Sequence, residues 1–272
     1  MEKIHFDPDV IRVAPLHHPK PKVQLADLKG GTEDSELFDP KKHEAPPANA
    51  HLVYNNGPLI PNVEVFTIFW GKSWVTDPAY IAMAKNINTF FTAILVSPLI
   101  DQLAEYSTTH YTIGHGKLTG TKSLDTHAPA TSITDAALQK ALNGWIADKT
   151  VPAPNANTLY FIYTDIHIKV HMGGSSSCTS FCGYHSDINN KTFYAVMPFP
   201  SCNGCLGGMK AFDALTATST HELCEAITDP VPGSGWYDQN NGEIGDICAW
   251  MFKKIGPYTV QLEWSNQHNK CM

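Results

Sequence analysis

The stretch STHELCEAITDP, Ser219 to Pro230, places His221, Glu222 and Glu225 at intervals that a helix lines up along one side. His221 and Glu225, four residues apart, can hold one divalent cation between them, with Glu222 beside it. In zinc peptidases of the H-E-x-x-H kind, two histidines at this spacing bind Zn2+ and the intervening glutamate takes a proton from the bound water. Here Glu225 stands where the second histidine would be, and carboxylate is an accepted zinc ligand. One imidazole and two carboxylates neutralise the ion's charge, so a water on it would be less acidic than in a site richer in imidazole.

A third ligand must come from another segment, and GWYDQNNGEIGDICAW offers Asp238, Glu243 and Asp246. Glutamate is absent between Glu105 and Glu222, then recurs here. The expected set is His221, Glu225 and Glu243 as metal ligands and Glu222 as general base. Asp246 would orient His221 from behind. The same segment also fits the reverse assignment, Asp246 as ligand and Glu243 as support. Asp229 can reach the ion from the helix end, or serve only as a helix stop before Pro230. His185, in FCGYH, is a further candidate: a ligand, a pocket-lining group, or a loop histidine held by hydrogen bonds.

Other chemistry in the chain is less specific. Cys224 lies three residues from His221, but a nucleophilic thiol needs a separate base and partial exposure, so a buried inert thiol is expected. DQNNGEIGD alternates oxygen donors like a calcium loop, with its glycine one place early for an EF-hand. Trp236 and Tyr237 precede the acidic cluster; a phenol there could donate to an oxyanion or simply pack. GGSSS lacks the lysine of a phosphate loop. The His17-His18 pair reads as incidental.

These groups need elements to position them. NVEVFTIFWG is an apolar, β-branched and aromatic run that predicts a buried strand, and NTLYFIYTD and TFYAVMPFP predict two more. Asp77 to Tyr106 has helical spacing interrupted by Pro98. SITDAALQKALNGWIADK predicts a helix opened by Ser132 and Asp135 in capping-box spacing. Ala211 to Thr228 predicts the helix that carries the motif. HMGGSSSCTSFCGYH reads as a loop, and YTVQLEWS as a closing strand. Residues 1–50, rich in Pro, Lys, Asp and His, show neither period and predict an extended arm. The expected fold is α+β (or α/β): one domain over 51–272 with a central mixed sheet and flanking helices.

All seven cysteines, Cys178, Cys182, Cys202, Cys205, Cys224, Cys248 and Cys271, lie in the last hundred residues. Only one CxxC unit exists, so a zinc site of paired CxxC units is not available. Spacing predicts disulfides Cys178–Cys182, Cys202–Cys205 and Cys248–Cys271, bracing the C-terminal part, with Cys224 free. Disulfides imply an oxidising compartment. The first residues, MEKIHFDPDV, lack the apolar segment of a signal peptide.

Length and charge exclude some partners. The 272 residues, 43% hydrophobic, suffice for a substantial core. A net charge of -7 with 19 scattered Lys and Arg argues against nucleic acid. No apolar run is long enough for a transmembrane segment.

Taken together, YNNGPLIPNVEVFTIFWG, GGSSSCTSFCGYH, STHELCEAITDP, GWYDQNNGEIGDIC and VQLEWSNQHNKC resemble the Exordium, or phosphate-induced protein, family and its microbial relatives, over roughly residues 51–272. Plant members are extracellular and linked to growth, with no settled enzymatic activity. The resemblance implies secretion, and retention of His221, Glu222 and Glu225 beside Glu243 and Asp246 points to a zincin-like microbial branch. The leading expectation is an extracellular zinc peptidase-like hydrolase acting on a peptide or protein substrate. Its alternatives are a non-catalytic extracellular binding or growth-related protein with a structural metal, and a disulfide-braced interaction module with no metal.

Overall fold

The computed structural model describes residues 13–15, 47 and 49–272. Most of the expected arm, including His17 and His18, lies outside the described residues. Its one described piece, Val13–Pro15, forms a strand at the edge of the main sheet.

That sheet has six strands in the order Val13–Pro15, Phe181–Ile188, Thr192–Met197, Thr158–Thr164, Glu64–Trp70 and Lys117–Leu124. The last four run parallel, while Phe181–Ile188 is antiparallel to both of its neighbours. The sheet is therefore mixed, as expected. Three of its strands, Glu64–Trp70, Thr158–Thr164 and Thr192–Met197, are buried along almost their whole length. This is why they read as continuous apolar runs rather than as alternating patterns.

Alternation appears instead in which core each side chain enters. Val65, Phe69, Phe161, Tyr163, Ala195 and Met197 face one cluster; Phe66, Ile68, Tyr160, Ile162, Tyr194 and Val196 face the other. Helices cover both faces. Pro78–Ile94, Pro98–Leu103 and Ala211–Thr228 contribute to the first core, and Asp135–Ala147 to the second.

Local chemistry explains the helix boundaries. The Asp77 carboxylate accepts from Ala79 N–H ahead of Pro78, and Ser97 does the same for Leu99 ahead of Pro98. Pro98 thus begins a second helix. The capping expectation for the next helix needs correction: Ser132–Thr134 is a short strand, and Thr134 is the cap, accepting from Ala137 N–H. Asp135 turns inward, where the hydroxyls of Tyr184 and Tyr194 and the amide of Gln139 all donate to its carboxylate. Three donors hold it there more firmly than a cap contact could.

Two further expectations change. HMGGSSSCTSFCGYH is not one loop: Lys169–Met172 turns through Gly173 and Gly174, both at positive φ, into Ser175–Ser176, and Phe181–Ile188 is a sheet strand. YTVQLEWS is two strands, Tyr258–Gln261 and Trp264–Ser265. The disulfides are Cys178–Cys202, Cys182–Cys205 and Cys248–Cys271, with Cα separations of 5.7, 5.3 and 5.7 Å. Only the third matches the spacing-based pairing. Cys178 sits in the turn that precedes the strand and Cys182 inside the strand, and each meets a cysteine of the segment around Asn203–Leu206 rather than the other. Cys202 and Cys205 instead begin and line the short helix Asn203–Leu206, which packs on that strand. Cys224 is free and buried. Among the described residues no single helix is long and apolar enough to cross a membrane.

Candidate metal centre

The site is built on Ala211–Thr228, a helix buried on nearly every side from Ala214 onward. Thr216, Thr220 and Thr228 return their hydroxyls to carbonyls three or four residues back, so their polarity is absorbed within the helix. His221, Glu222 and Glu225 cannot be satisfied in that way. All three are fully buried.

The loop after Trp236–Tyr237 supplies the opposite wall. Gly242, at positive φ, turns the chain so that Glu243 and Asp246 face the helix. Asp246 N–H donates to Glu225 Oε1 at 3.2 Å, and Glu243 N–H to Asp246 Oδ2 at 3.2 Å. Gly245 passes so close that a Cβ there would sit 2.6 Å from His221 Nδ1 and 3.0 Å from Glu225 Oε1. The third wall is the strand Phe181–Ile188. It carries His185, and at Gly183 an added Cβ would lie 3.2 Å from Glu222 Oε1.

Each predicted residue can now be placed. His221 Nε2 lies 3.2 Å from Glu225 Oε1, and 4.0 Å from both Glu222 Oε1 and Asp246 Oδ1. His185 Nδ1 lies 3.3 Å from Glu222 Oε2 and 3.5 Å from Glu225 Oε2; its Nε2 lies 3.1 Å from the Asp229 carbonyl and 3.5 Å from Glu243 Oε1. Two triads able to hold a cation result: His221, Glu225 and Asp246, and His185, Glu225 and Glu243, with donor atoms in each within 4.8 Å of one another. The set read from the sequence is thus divided. Glu243 stands with His185 rather than His221, and Asp246 takes the place beside His221.

The carboxylate of Asp229 accepts from the N–H groups of Gly233, Ser234 and Gly235 and also acts on neighbouring Glu243. Asp238 likewise accepts from the backbone of His51, Asn240 and Asn241, which closes its turn and removes it from any calcium-type loop. Trp236 packs on Tyr54 and Tyr106 and donates its indole N–H to the Tyr106 carbonyl. Tyr237 is buried in a two-residue pairing with Val53.

No protein-family model matches this chain, and no curated protein matches it.

The electrostatics follow from packing several buried acids around two histidines. The ion-pair distances of Glu222, Glu225, Glu243 and Asp246 among the described residues are all to His185 or His221. Burial pushes Glu243 well above the usual carboxylate range despite the nearby His185, and raises Glu222 as well. Burial and the neighbouring Glu225 lift Asp246 to about 7. Burial would raise Glu225 too, but His221 and His185 outweigh it and hold the group at about 2. For His221 burial works downward, and Glu225 overrides it to give about 10. Neighbouring acids thus split into one strongly ionised member and several that resist ionisation, the signature of carboxylates competing for too little positive charge.

Four buried atoms of the predicted site residues make no hydrogen bond among the described residues: His221 Nε2, Glu225 Oε2, and both carboxyl oxygens of Glu243. Unsatisfied buried carboxylate oxygens are costly and uncommon. A shallow pocket lined by Met209, Thr218, Trp250 and Phe252 reaches His221 and Gln261.

Gln261 and Glu263 were not singled out from the sequence. The Gln261 amide nitrogen is 2.8 Å from His221 Nδ1 and donates to the Gly245 carbonyl at 2.9 Å, tying the ring to the loop. Glu263 is buried with neither carboxyl oxygen hydrogen-bonded. The one sequence signal for Glu263 is an acid inside the apolar run VQLEW.

Proposed function

We propose that this chain is a secreted, zinc-dependent hydrolase of the peptidase kind, built on a zincin-like helix. One observation carries the reading: buried atoms of His221, Glu225 and Glu243 that make no hydrogen bond among the described residues converge with Asp246 and His185. A divalent cation is the ligand that this donor set fits, with imidazole and carboxylate together suiting zinc. Three disulfides support an extracellular setting.

On the pocket side, His221, Glu225 and Asp246 would hold the ion, which when bound supplies Lewis acidity to a water and to a substrate carbonyl. Glu222, whose Oε1 lies 4.0 Å from His221 Nε2 and whose proton affinity is raised by burial, would be the general base. The apolar walls of Met209, Trp250 and Phe252 would receive a substrate side chain. As oriented, the Gln261 amide donates to His221 Nδ1 and leaves the ring proton on Nε2. Ligation through Nε2 therefore requires that amide to turn its carbonyl to the ring.

Elemental analysis of the purified chain, together with Glu222→Gln assayed on a peptide library, tests the proposal. Stoichiometric zinc and cleavage that disappears in the variant are expected. No metal, or undiminished cleavage, overturns it.

Complete burial of Glu222 and Glu225 favours a second reading, in which the ion braces an extracellular binding protein. Chelation would then lower the melting temperature while Glu222→Gln altered no activity.

A further inference from the structure

The outermost strand of the main sheet is unlike the strand it pairs with. Val13–Pro15 has three residues, ends on a proline and shifts register between Ala14 and Pro15, whereas its neighbour Phe181–Ile188 has eight residues and is anchored on its other side by Thr192–Met197. We infer that Val13–Pro15 is an exchangeable strand: the outer edge of Phe181–Ile188 is a binding site for an extended, antiparallel peptide, which this chain fills with its own N-terminal segment. The inference does not depend on a metal, and an extracellular binding protein would use the same edge.

Three observations carry it. First, the edge borders the candidate site. Ala14 stands opposite Gly183, and Val13 opposite Tyr184. Paired strands lie about 4.7–4.9 Å apart. A Cβ on Gly183 would sit 3.2 Å from Glu222 Oε1 and 2.8 Å from Thr218 Cγ2. His185, two residues along and so on the same face, approaches Glu222 and Glu225. Whatever pairs with Gly183 is therefore the strand beside the proposed general base.

Second, the pocket continues from that edge. Cys182 and Thr218 line it together with Met209, Trp250 and Phe252, and it reaches His221. Main-chain pairing along a sheet edge, with an adjacent recess for a side chain, is a general way of holding an extended peptide.

Third, the pairing is short. Three residues form few ladder hydrogen bonds, and Pro15 has no N–H to give. Without them Phe181–Ile188 would present a row of unpaired N–H and C=O groups, which is a template for another extended chain. A briefly held strand on an adhesive edge is one that a second chain can replace.

The full chain carrying Val13→Pro and Ala14→Pro tests the inference. Consecutive strand residues turn their N–H groups to opposite edges, so the double substitution removes the donor that faces Phe181–Ile188 whichever residue supplies it. No residue of the candidate site is altered. The probe is a synthetic peptide of sequence VIRVAPLH, residues 10–17, titrated in chelator so that metal-dependent cleavage does not enter the measurement. The variant is expected to bind it at least about tenfold more tightly than the unaltered chain, whose own strand competes for the edge. Amides of Phe181–Ile188 should exchange with solvent faster in the variant, and the peptide should restore their protection. Equal affinity for the two chains, no binding to the variant, or unchanged amide exchange overturns the inference. Binding at the edge with no peptide cleaved in zinc upholds it and removes the proposed hydrolase; cleavage without binding at the edge does the reverse.

Should the double substitution unfold the chain, a protease site inserted between Pro15 and Pro47 and cut after folding decides the matter. The N-terminal fragment is expected to leave on dilution under native conditions and to be displaced by the same peptide. A fragment retained until the fold melts overturns the inference.

Discussion

Glu225 turns one carboxylate oxygen toward each of two histidines: Oε1 lies 3.2 Å from His221 Nε2 and Oε2 lies 3.5 Å from His185 Nδ1. The first histidine is one helical turn away in the same element, and the second arrives from a sheet strand. Several expectations depend on this carboxylate and its neighbours.

Glu222→Gln keeps the shape of the side chain and removes its basicity. Hydrolysis is expected to fall by about two to four orders of magnitude, the usual weight of a general base. Zinc content measured on the same preparation should stay unchanged.

Removal of metal should make stability fall with rising pH. Asp246 and Asp229 have folded-state pKa values raised to about 7 and about 6, so the metal-free fold holds their protons more tightly than the unfolded chain does. Their contribution is full below about pH 4 and is lost as pH rises through 6 to 7. His221, raised to about 10, adds stability at neutral pH that is lost toward that value. Melting temperatures in chelator at pH 4.5, 6.0 and 7.5 should therefore decrease in that order. In zinc the loss should be smaller, because protons and the ion compete for the same ligands.

Gly245→Ala should damage the site without touching a donor atom. The added methyl carbon would sit 2.6 Å from His221 Nδ1, so the ring or the loop must move. A stability loss of about 1–3 kcal/mol is expected in denaturant titration, with zinc affinity reduced alongside it.

Peptide mapping without reduction should recover Cys178–Cys202, Cys182–Cys205 and Cys248–Cys271. Each closes a loop spanning 23 or 24 residues. Replacing Cys248 and Cys271 together by serine should cost about 3 kcal/mol, read from the denaturation midpoint.

Local order made part of this protein legible from its residues. The helix Ala211–Thr228 has the bounds that its composition and Asp229-Pro230 ending predict, and Glu64–Trp70, Thr158–Thr164 and Thr192–Met197 lie within their predicted runs. In each case a signal within the element itself, a helical period or a β-branched apolar run, decides the outcome. The strand Phe181–Ile188 was hidden because its flanks are rich in Gly and Ser, and because its burial depends on the partner strand Thr192–Met197.

By itself the sequence determined the chemical types available, and the helix that sets His221, Glu222 and Glu225 on one side. Those follow from residue identity and a 3.6-residue repeat. Only the tertiary structure decided that Glu243 goes with His185, that Asp246 goes with His221, and which cysteines meet. Such pairings depend on how separate elements approach across a packed core, and spacing along the chain carries no information about that approach.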